Sequence, residues 1–293
     1  MRATEHPLAL SLLRRCPLLV AGEAVTCAVS GGPDSVALLI LATAARCVVT
    51  VVHIDHGLRS DSHLDGPAVG ALAARFGAAF RSERITVAGP ANVEARARDA
   101  RWHALGPDAL TGHTADDQAE TVLINLLRGG GVDGLSGMSP ARHPLLALRR
   151  HETHALCAAF GVEPLQDPTN QLPIYVRNRV RHELLPLMDE ISRRDLVPLL
   201  ARQADLLRDD ARLLNKLAGE LDPCDAQALA HAPIALARRA VRLWLTTDHP
   251  PDSATVERVL AVARGQVQAC ETNDGRRVSR QRQRLSLDGP DRR

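Results

Sequence analysis

Ala24-Val25-Thr26-Cys27-Ala28-Val29-Ser30-Gly31-Gly32-Pro33-Asp34-Ser35 is the stretch on which the fold turns. Residues 24–29 form an apolar run of strand length, and residues 35–45 read as a helix. Between them lies a turn with two glycines and two serines. Glycine lets backbone approach an anion closely, and a helix N-terminus adds N–H donors and a favourable dipole. Ser30, Gly31, Gly32, Pro33 and Ser35 are therefore candidate phosphate-binding residues. Asp34 would repel a phosphate unless a cation lay between them, which makes it a candidate Mg²⁺-associated carboxylate. The plain alternative is an ordinary strand-to-helix turn with Ser35 as a cap.

Working outward, the chain alternates short apolar runs with helical patterns. Strands are expected at 48–53, 80–85 and 109–111, and helices at 64–76, 92–105 and 115–127. Such alternation implies an α/β fold with a doubly wound parallel sheet, which binds ligands at the carboxyl ends of its strands. The Gly-rich segment 128–144 reads as a mobile functional loop with a turn or two of helix. Helices are expected next at 150–160 and 177–187, then at about 195–220, 234–246 and 252–264. Asn273-Asp274-Gly275, within the alternating stretch 268–287, signals a hairpin. The expected division is a catalytic domain over 1–190 and a smaller, mainly helical domain over 191–293.

Composition narrows the chemistry. The chain has 293 residues, 45% hydrophobic and 24% charged, ordinary values for a globular protein. Aromatics are only 2%, so stacking platforms for nucleic acid are scarce, and the net charge of +2 does not announce a nucleic-acid binder. Lys216 is the only lysine, which excludes a Walker A loop and disfavours Schiff-base chemistry. The six cysteines form no C-x-x-C pair, so no zinc ribbon, iron–sulfur site or redox dithiol is signalled. No signal peptide and no membrane-spanning run is read, and a cytoplasmic location without membrane association is expected.

Four further clusters sit where such a sheet places its ligands. His53-Ile54-Asp55-His56-Gly57-Leu58-Arg59 ends the second strand beside the first turn, so His53 and Asp55 are candidates for contact with base, ribose or substrate. In 92–102, Glu94, Arg98 and Arg101 share a helix face. That suits an arginine pair aimed at phosphate or a nucleobase, or a solvated salt-bridged face. Gly112-His113-Thr114-Ala115-Asp116-Asp117-Gln118-Ala119-Glu120-Thr121 follows a strand and opens a helix. His113, Asp117 and Glu120 lie one turn apart and suggest an acidic pocket suited to an ammonium group, although acids in a first turn also complement the helix dipole. The last cluster joins Asp167-Pro168-Thr169-Asn170 and Tyr175 to Arg177-Asn178-Arg179-Val180-Arg181-His182. It is a local basic patch fit for phosphate, or the solvated face of a capped helix.

The hexapeptide 30–35 resembles the signature of the PP-loop ATP pyrophosphatase superfamily. The ordered set from about residue 24 to 186 is similar to the tRNA(Ile)-lysidine synthase family. Besides the clusters above, that set includes Leu127-Arg128-Gly129, Gly134-Leu135-Ser136-Gly137-Met138 and Pro144-Leu145-Leu146. The resemblance implies an adenine nucleotide alpha hydrolase-like fold and a ligase that uses ATP and Mg²⁺. It implies that the C2 oxygen of cytidine 34, in a tRNA(Ile) with a CAU anticodon, is adenylated. Free L-lysine then displaces AMP, changing codon reading from AUG to AUA and charging from Met to Ile. It carries over Asp117, Glu120 and His113 as lysine-handling residues, with Arg98, and makes Arg177, Asn178 and Arg181 candidate tRNA contacts.

The amide oxygen is a poor leaving group, which adenylation repairs, and lysine arrives with a protonated side chain that must lose a proton. Asp117 and Glu120 are expected to hold that side chain and take the proton. Departures from the family pattern are Thr114, where many members have a second histidine, Trp102 in place of tyrosine, and a short C-terminal region. That region is expected to be one tRNA-contacting domain. A homodimer and a monomer both stay open. A tRNA 2-thiolation enzyme of the same superfamily is the close rival, although the cysteines it usually uses are absent. A non-catalytic nucleotide sensor is the rival of another class.

Overall fold

The computed structural model describes residues 2–55, 57, 62–85, 104–165, 175–247 and 249–289. The chain divides into two compact units, Met1–Asp205 and Leu206–Arg293. The division falls inside a long helix, some fifteen residues beyond the expected boundary at 190, because the start of that helix packs with the first unit.

In the first unit, β1 (Ala24–Ala28), β2 (Val48–Asp55), β3 (Ala79–Arg84) and β4 (Leu110–Thr111) form a sheet of order β3-β2-β1-β4. All its pairings are parallel. Buried β-branched residues such as Val49, Val51 and Val52 suit strands covered on both faces. β3 is the edge, and its Arg81, Glu83 and Arg84 discourage further pairing there. The chain runs outward from β1 through β2 to β3 and then crosses to β4 on the other side of β1. That reversal places a crevice outside the carboxyl ends of β1 and β4.

Helix α1 (Pro7–Leu13), which lies upstream of the sequence signals, packs against α2 (Pro33–Ala44). Val36 to Ala42 of α2 are wholly buried, as a helix apolar on every side must be. α2 starts two residues before the expected position, because Pro33 suits the first helical turn and Gly32 caps it in an extended conformation. α3 (Asp65–Arg75) and α4 (Ala115–Leu127) match their apolar stripes. The expected helix 92–105 lies almost wholly outside the described residues.

The segment after α4 is fastened rather than loose. It contains α5 (Val132–Leu135) and a 3₁₀ turn at Pro140–Arg142. The Gln118 amide grips the Met138 backbone on both sides, donating to its carbonyl at 3.2 Å and accepting from its N–H at 2.8 Å. Asn125 donates to the Gly134 carbonyl at 2.7 Å. α6 (Arg150–Ala159) packs on α2. A helical tract then runs through α7 (Val176–Arg179), a π-helical turn at Val180–Leu184 and α8 (Leu185–Ser192). Val180, Leu185 and Val197 join Ala115, Ala119 and Leu123 in a small core that holds this tract to α4.

α9 (Val197–Gly219) spans the division. The second unit packs α10 (Ala226–His231), α11 (Ile234–Leu245) and α12 (Ser253–Ala263) around Leu229, Val241, Leu245, Val259 and Leu260. Asp225 and Asp252 cap α10 and α12 with their carboxylates. The expected hairpin is a three-stranded antiparallel meander: β5 (Ala269–Glu271), β6 (Arg277–Gln281) and β7 (Arg284–Asp288). Its second turn is hard to read from sequence, because Arg282 carries the positive φ of 54° there in place of Gly or Asn. Among the described residues no helix is long and apolar enough to cross a membrane.

Candidate active site

A cleft of about 390 Å³ opens at the carboxyl ends of β1, β2 and β4. Ser30, Gly32, Pro33, Asp34 and Ser35 form one wall; Gly112, His113, Asp117 and Arg181 form the other. The hydroxyls close the turn onto itself: Ser35 Oγ donates to the Gly32 carbonyl at 2.8 Å, accepts from Ser30 N at 3.2 Å and lies 3.2 Å from Ser30 Oγ. The α2 N-terminus thus opens on the cleft with a pre-shaped cradle for an anion. Gly31, at φ +90°, turns its other side to Leu165, whose Cδ1 would lie 2.4 Å from a Cβ built there. Gly112 lets the β4 turn meet the start of α2, since a Cβ there would lie 2.5 Å from the Asp34 carbonyl oxygen.

Asp34 leans away from the cradle, toward α6. The buried Thr153 hydroxyl donates to its Oδ1, and Arg150 Nε lies 3.7 Å from Oδ2. Burial pushes this carboxyl above its ordinary pKa; Thr153 and Arg150 oppose the rise and nearby Asp117 adds to it.

On the opposite wall, Asp117 and Glu120 stand one turn apart on α4, as their spacing requires. The acidic pocket expected here is occupied in this structure by three arginines. Glu120 is fully buried: its Oε1 accepts from Arg181 Nε at 2.7 Å and Arg150 Nη2 at 3.1 Å. Its Oε2 accepts from Arg177 Nε at 2.7 Å and Arg181 Nη2 at 3.0 Å. Asp117 Oδ1 faces the same arginines at 2.9, 3.2 and 3.4 Å. Its Oδ2 accepts from Thr114 N and Oγ1, completing a capping box. Burial disfavours the Asp117 carboxylate, but Arg150, Arg177, His113 and the Thr114 amide outweigh it and hold the pKa down at about 2.

The same contacts involve the basic patch expected at 177–182. Arg177 and Arg181 point inward onto α4, and Asn178 is buried. Of that run's three arginines Arg179 is the most exposed, and it pairs with Glu183 one turn on. His53 is also buried, with Nδ1 3.0 Å from the Val29 carbonyl, so it braces β1 against β2. Asp55 accepts from Gly57 N at 2.8 Å and steadies its own turn. Neither lines the cleft, although their neighbour Ile54 does. Arg98 and the segment 166–174 lie outside the described residues.

Sequence reasoning missed Arg150, Thr153 and His143. Asp116 explains how Arg150 is placed: it accepts from Arg150 N at 2.8 Å and from the Arg149 guanidinium at 3.1 Å, pinning the start of α6 to the start of α4. Thr153, three residues on, shares that helix face. His143 lies 2.5 Å through Nδ1 from Thr111 Oγ1, which is also 2.7 Å from His113 Nδ1, so two imidazoles share one hydroxyl. No local motif announces these residues; they reach the site from a distant part of the chain.

A cradle at a helix start, facing a carboxylate–arginine cluster across a switch-point crevice, is the build of a phosphate-handling α/β domain. The comparisons agree. A family model described as a PP-loop domain matches residues 10–188, so the chain is a PP-loop, ATP-utilising protein. It is 41% identical over 242 residues to the tRNA(Ile)-lysidine synthase of Nocardia farcinica, covering 77% of this chain and 76% of the relative. It is 37% identical over 272 residues to the protein of that description from Thermobifida fusca, covering 84% of each. With the one from Rhodococcus opacus it shares 36% over 296 residues, covering 92% of this chain and 91% of that one. The chain belongs to the tRNA(Ile)-lysidine synthase family. Among solved structures, the U34-tRNA thiolase NcsA from Methanococcus maripaludis superposes with a TM-score of 0.53 at 17% identity, covering 73% of this chain and 81% of that one, a likeness of fold alone.

Proposed function

We infer that this chain uses ATP to join free L-lysine to C2 of cytidine 34 in a tRNA(Ile) with a CAU anticodon. The observation that carries this reading is the pairing, across one cleft, of the 30–35 cradle with Asp117, which Glu120 backs through shared arginines, in a chain of this family. The cradle and the α2 N-terminus hold the triphosphate. The C2 oxygen attacks the α-phosphorus and pyrophosphate leaves. The lysine side-chain amine then attacks C2, AMP departs with the oxygen, and one proton is released.

The chemistry of the cleft residues supports a division of these steps. Asp117, held at about 2, is a weak base, so it serves to position an ammonium group. The proton goes instead to His113, which lines the cleft, is steadied by Thr111 and offers an imidazole nitrogen as acceptor. Arg98 and any tRNA contact through Arg177, Asn178 or Arg181 belong to the same reading. For Arg177 and Arg181 such contact requires leaving the carboxylates they now hold.

Mg²⁺ fits Asp34. Its carboxylate is part-buried at the cleft and disfavoured as an anion, a condition that a cation arriving with the nucleotide would relieve. Among the described residues no group of three or more His, Cys, Asp or Glu could hold an ion alone. Mg²⁺ commonly binds through one carboxylate and substrate phosphates. When bound it would neutralise phosphate charge.

ATP–pyrophosphate exchange tests the reading. Exchange that requires the cognate tRNA is expected. Its absence with tRNA, ATP and lysine all present would favour a nucleotide sensor.

A further inference from the structure

The charges around Glu120 balance without a substrate. Asp34, Asp117 and Glu120 supply three negative charges, and Arg150, Arg177 and Arg181 supply three positive ones. Both oxygens of Glu120 and both of Asp117 already accept at least two hydrogen bonds. An ammonium group has nowhere to bind here unless an arginine leaves, since an added buried charge without a partner is costly.

The three arginines are not equivalent. Arg150 is pinned through its own backbone to Asp116 at 2.8 Å and also reaches toward Asp34. Arg177 is tied in addition to the Asp117 carbonyl at 3.5 Å and does not line the cleft. Arg181 alone of the three lines the cleft, with Ser30, Gly32 and Ser35. It also sits on the π-helical turn Val180–Leu184. A π turn carries one residue more than an α turn, and relaxing it rotates the flanking side chains by about 100°. Relaxing the turn beneath Arg181 would therefore re-aim its side chain.

We propose that Arg181 is an exchangeable cap: it holds the place of the lysine ammonium on Glu120 and Asp117 until the polyphosphate of bound ATP draws it across the cleft. This rests on the functional reading above and adds an order to it, nucleotide first and lysine second. A guanidinium suits both partners, since its fork matches carboxylate and phosphate alike. Arg181 is therefore a positioning residue that keeps the amine from settling before there is an activated group to attack.

The test is equilibrium dialysis of radiolabelled L-lysine against the full chain, with and without Mg²⁺ and α,β-methylene ATP, whose bridge resists cleavage. Wild-type protein is expected to bind lysine at least about tenfold tighter with the nucleotide, about 1.4 kcal/mol. Arg181→Gln is expected to bind lysine without nucleotide and to lose that ratio, while Arg179→Gln, whose partner Glu183 lies outside the cluster, keeps it. A merely structural role would not remove the ratio selectively. Equal lysine affinity in the two wild-type conditions, no binding in both, or a ratio retained by Arg181→Gln overturns the exchange. Should Arg181→Gln fail to fold, reciprocity supplies another measurement on wild type: lysine must tighten nucleotide binding by the same factor, and failure to do so overturns the exchange. Transfer of labelled lysine to tRNA is measured alongside. Transfer with a ratio of one sinks only the exchange, whereas no transfer sinks the functional reading.

Discussion

Glu120→Gln isolates the electrostatics of the site at nearly constant shape. Glu120 is fully buried and accepts four hydrogen bonds of 2.7–3.1 Å from three guanidinium groups. Glutamine removes the charge and turns an amide NH₂ toward donors. Arg150, Arg177 and Arg181 then share Asp117 as their remaining common carboxylate. Removing one partner of a buried ion pair costs about 3–5 kcal/mol, most of it from the charge left behind. The arginines are partly exposed, which puts the expected loss at the lower end, about 3 kcal/mol. For a unit of this size each kcal/mol lowers the melting temperature by about 2–4 °C, so a drop of about 6–12 °C is expected. Differential scanning calorimetry, following the transition of the nucleotide-binding unit, reads it directly. Arg179→Ala, which removes the exposed pair with Glu183, is the control and should leave that transition in place. A Glu120→Gln shift no larger than the control's would refute the picture of a charge-balanced buried cluster.

Acid provides another test. The folded pKa of Asp117 lies below its unfolded value, so its stabilisation is complete above about pH 4 and is lost as pH falls toward about 2. Its share is about 2 kcal/mol, and Asp117→Asn should flatten that part of the stability profile measured by urea unfolding. Gly112→Ala should distort the start of α2 and weaken nucleotide binding by at least about tenfold, because the new Cβ would meet the Asp34 backbone at 2.5 Å; unchanged affinity in a fluorescent-nucleotide titration would contradict the close approach. Asp34→Ala should abolish ATP use, whereas Asp117→Ala should spare nucleotide binding and raise the lysine concentration needed for transfer. Normal incorporation by Asp117→Ala at low lysine would refute that assignment.

The fold was legible where the pattern was local. The apolar run of β1, the glycine turn and the apolar helix after it mark one strand–turn–helix unit. Repeating that alternation gives a parallel sheet with its ligand edge. What stayed hidden depends on contacts between distant segments. Arg150 reaches Glu120 from 30 residues away only because Asp116 holds the start of α6. Spacing correctly put Asp117 and Glu120 on one helix face, but it could not show that arginines from two other helices would cover them. For the same reason the run 177–181 read as a surface patch. Charge runs are usually solvated, and only the packing of Val180 and Leu185 against Ala119 and Leu123 turns Arg177 and Arg181 inward. The third strand of the meander was missed because Arg282 adopts a conformation usually left to glycine.

Nucleoside mass spectrometry is the most direct check on the central claim. The protein is incubated with ATP, Mg²⁺, isotope-labelled lysine and a tRNA(Ile) bearing a CAU anticodon, and the tRNA is then digested to nucleosides. A cytidine heavier by one labelled lysine less one water, formed only with ATP and lost in Asp34→Ala, is the expected product. Unmodified cytidine 34 after complete incubation with folded, nucleotide-binding protein would contradict the claim outright.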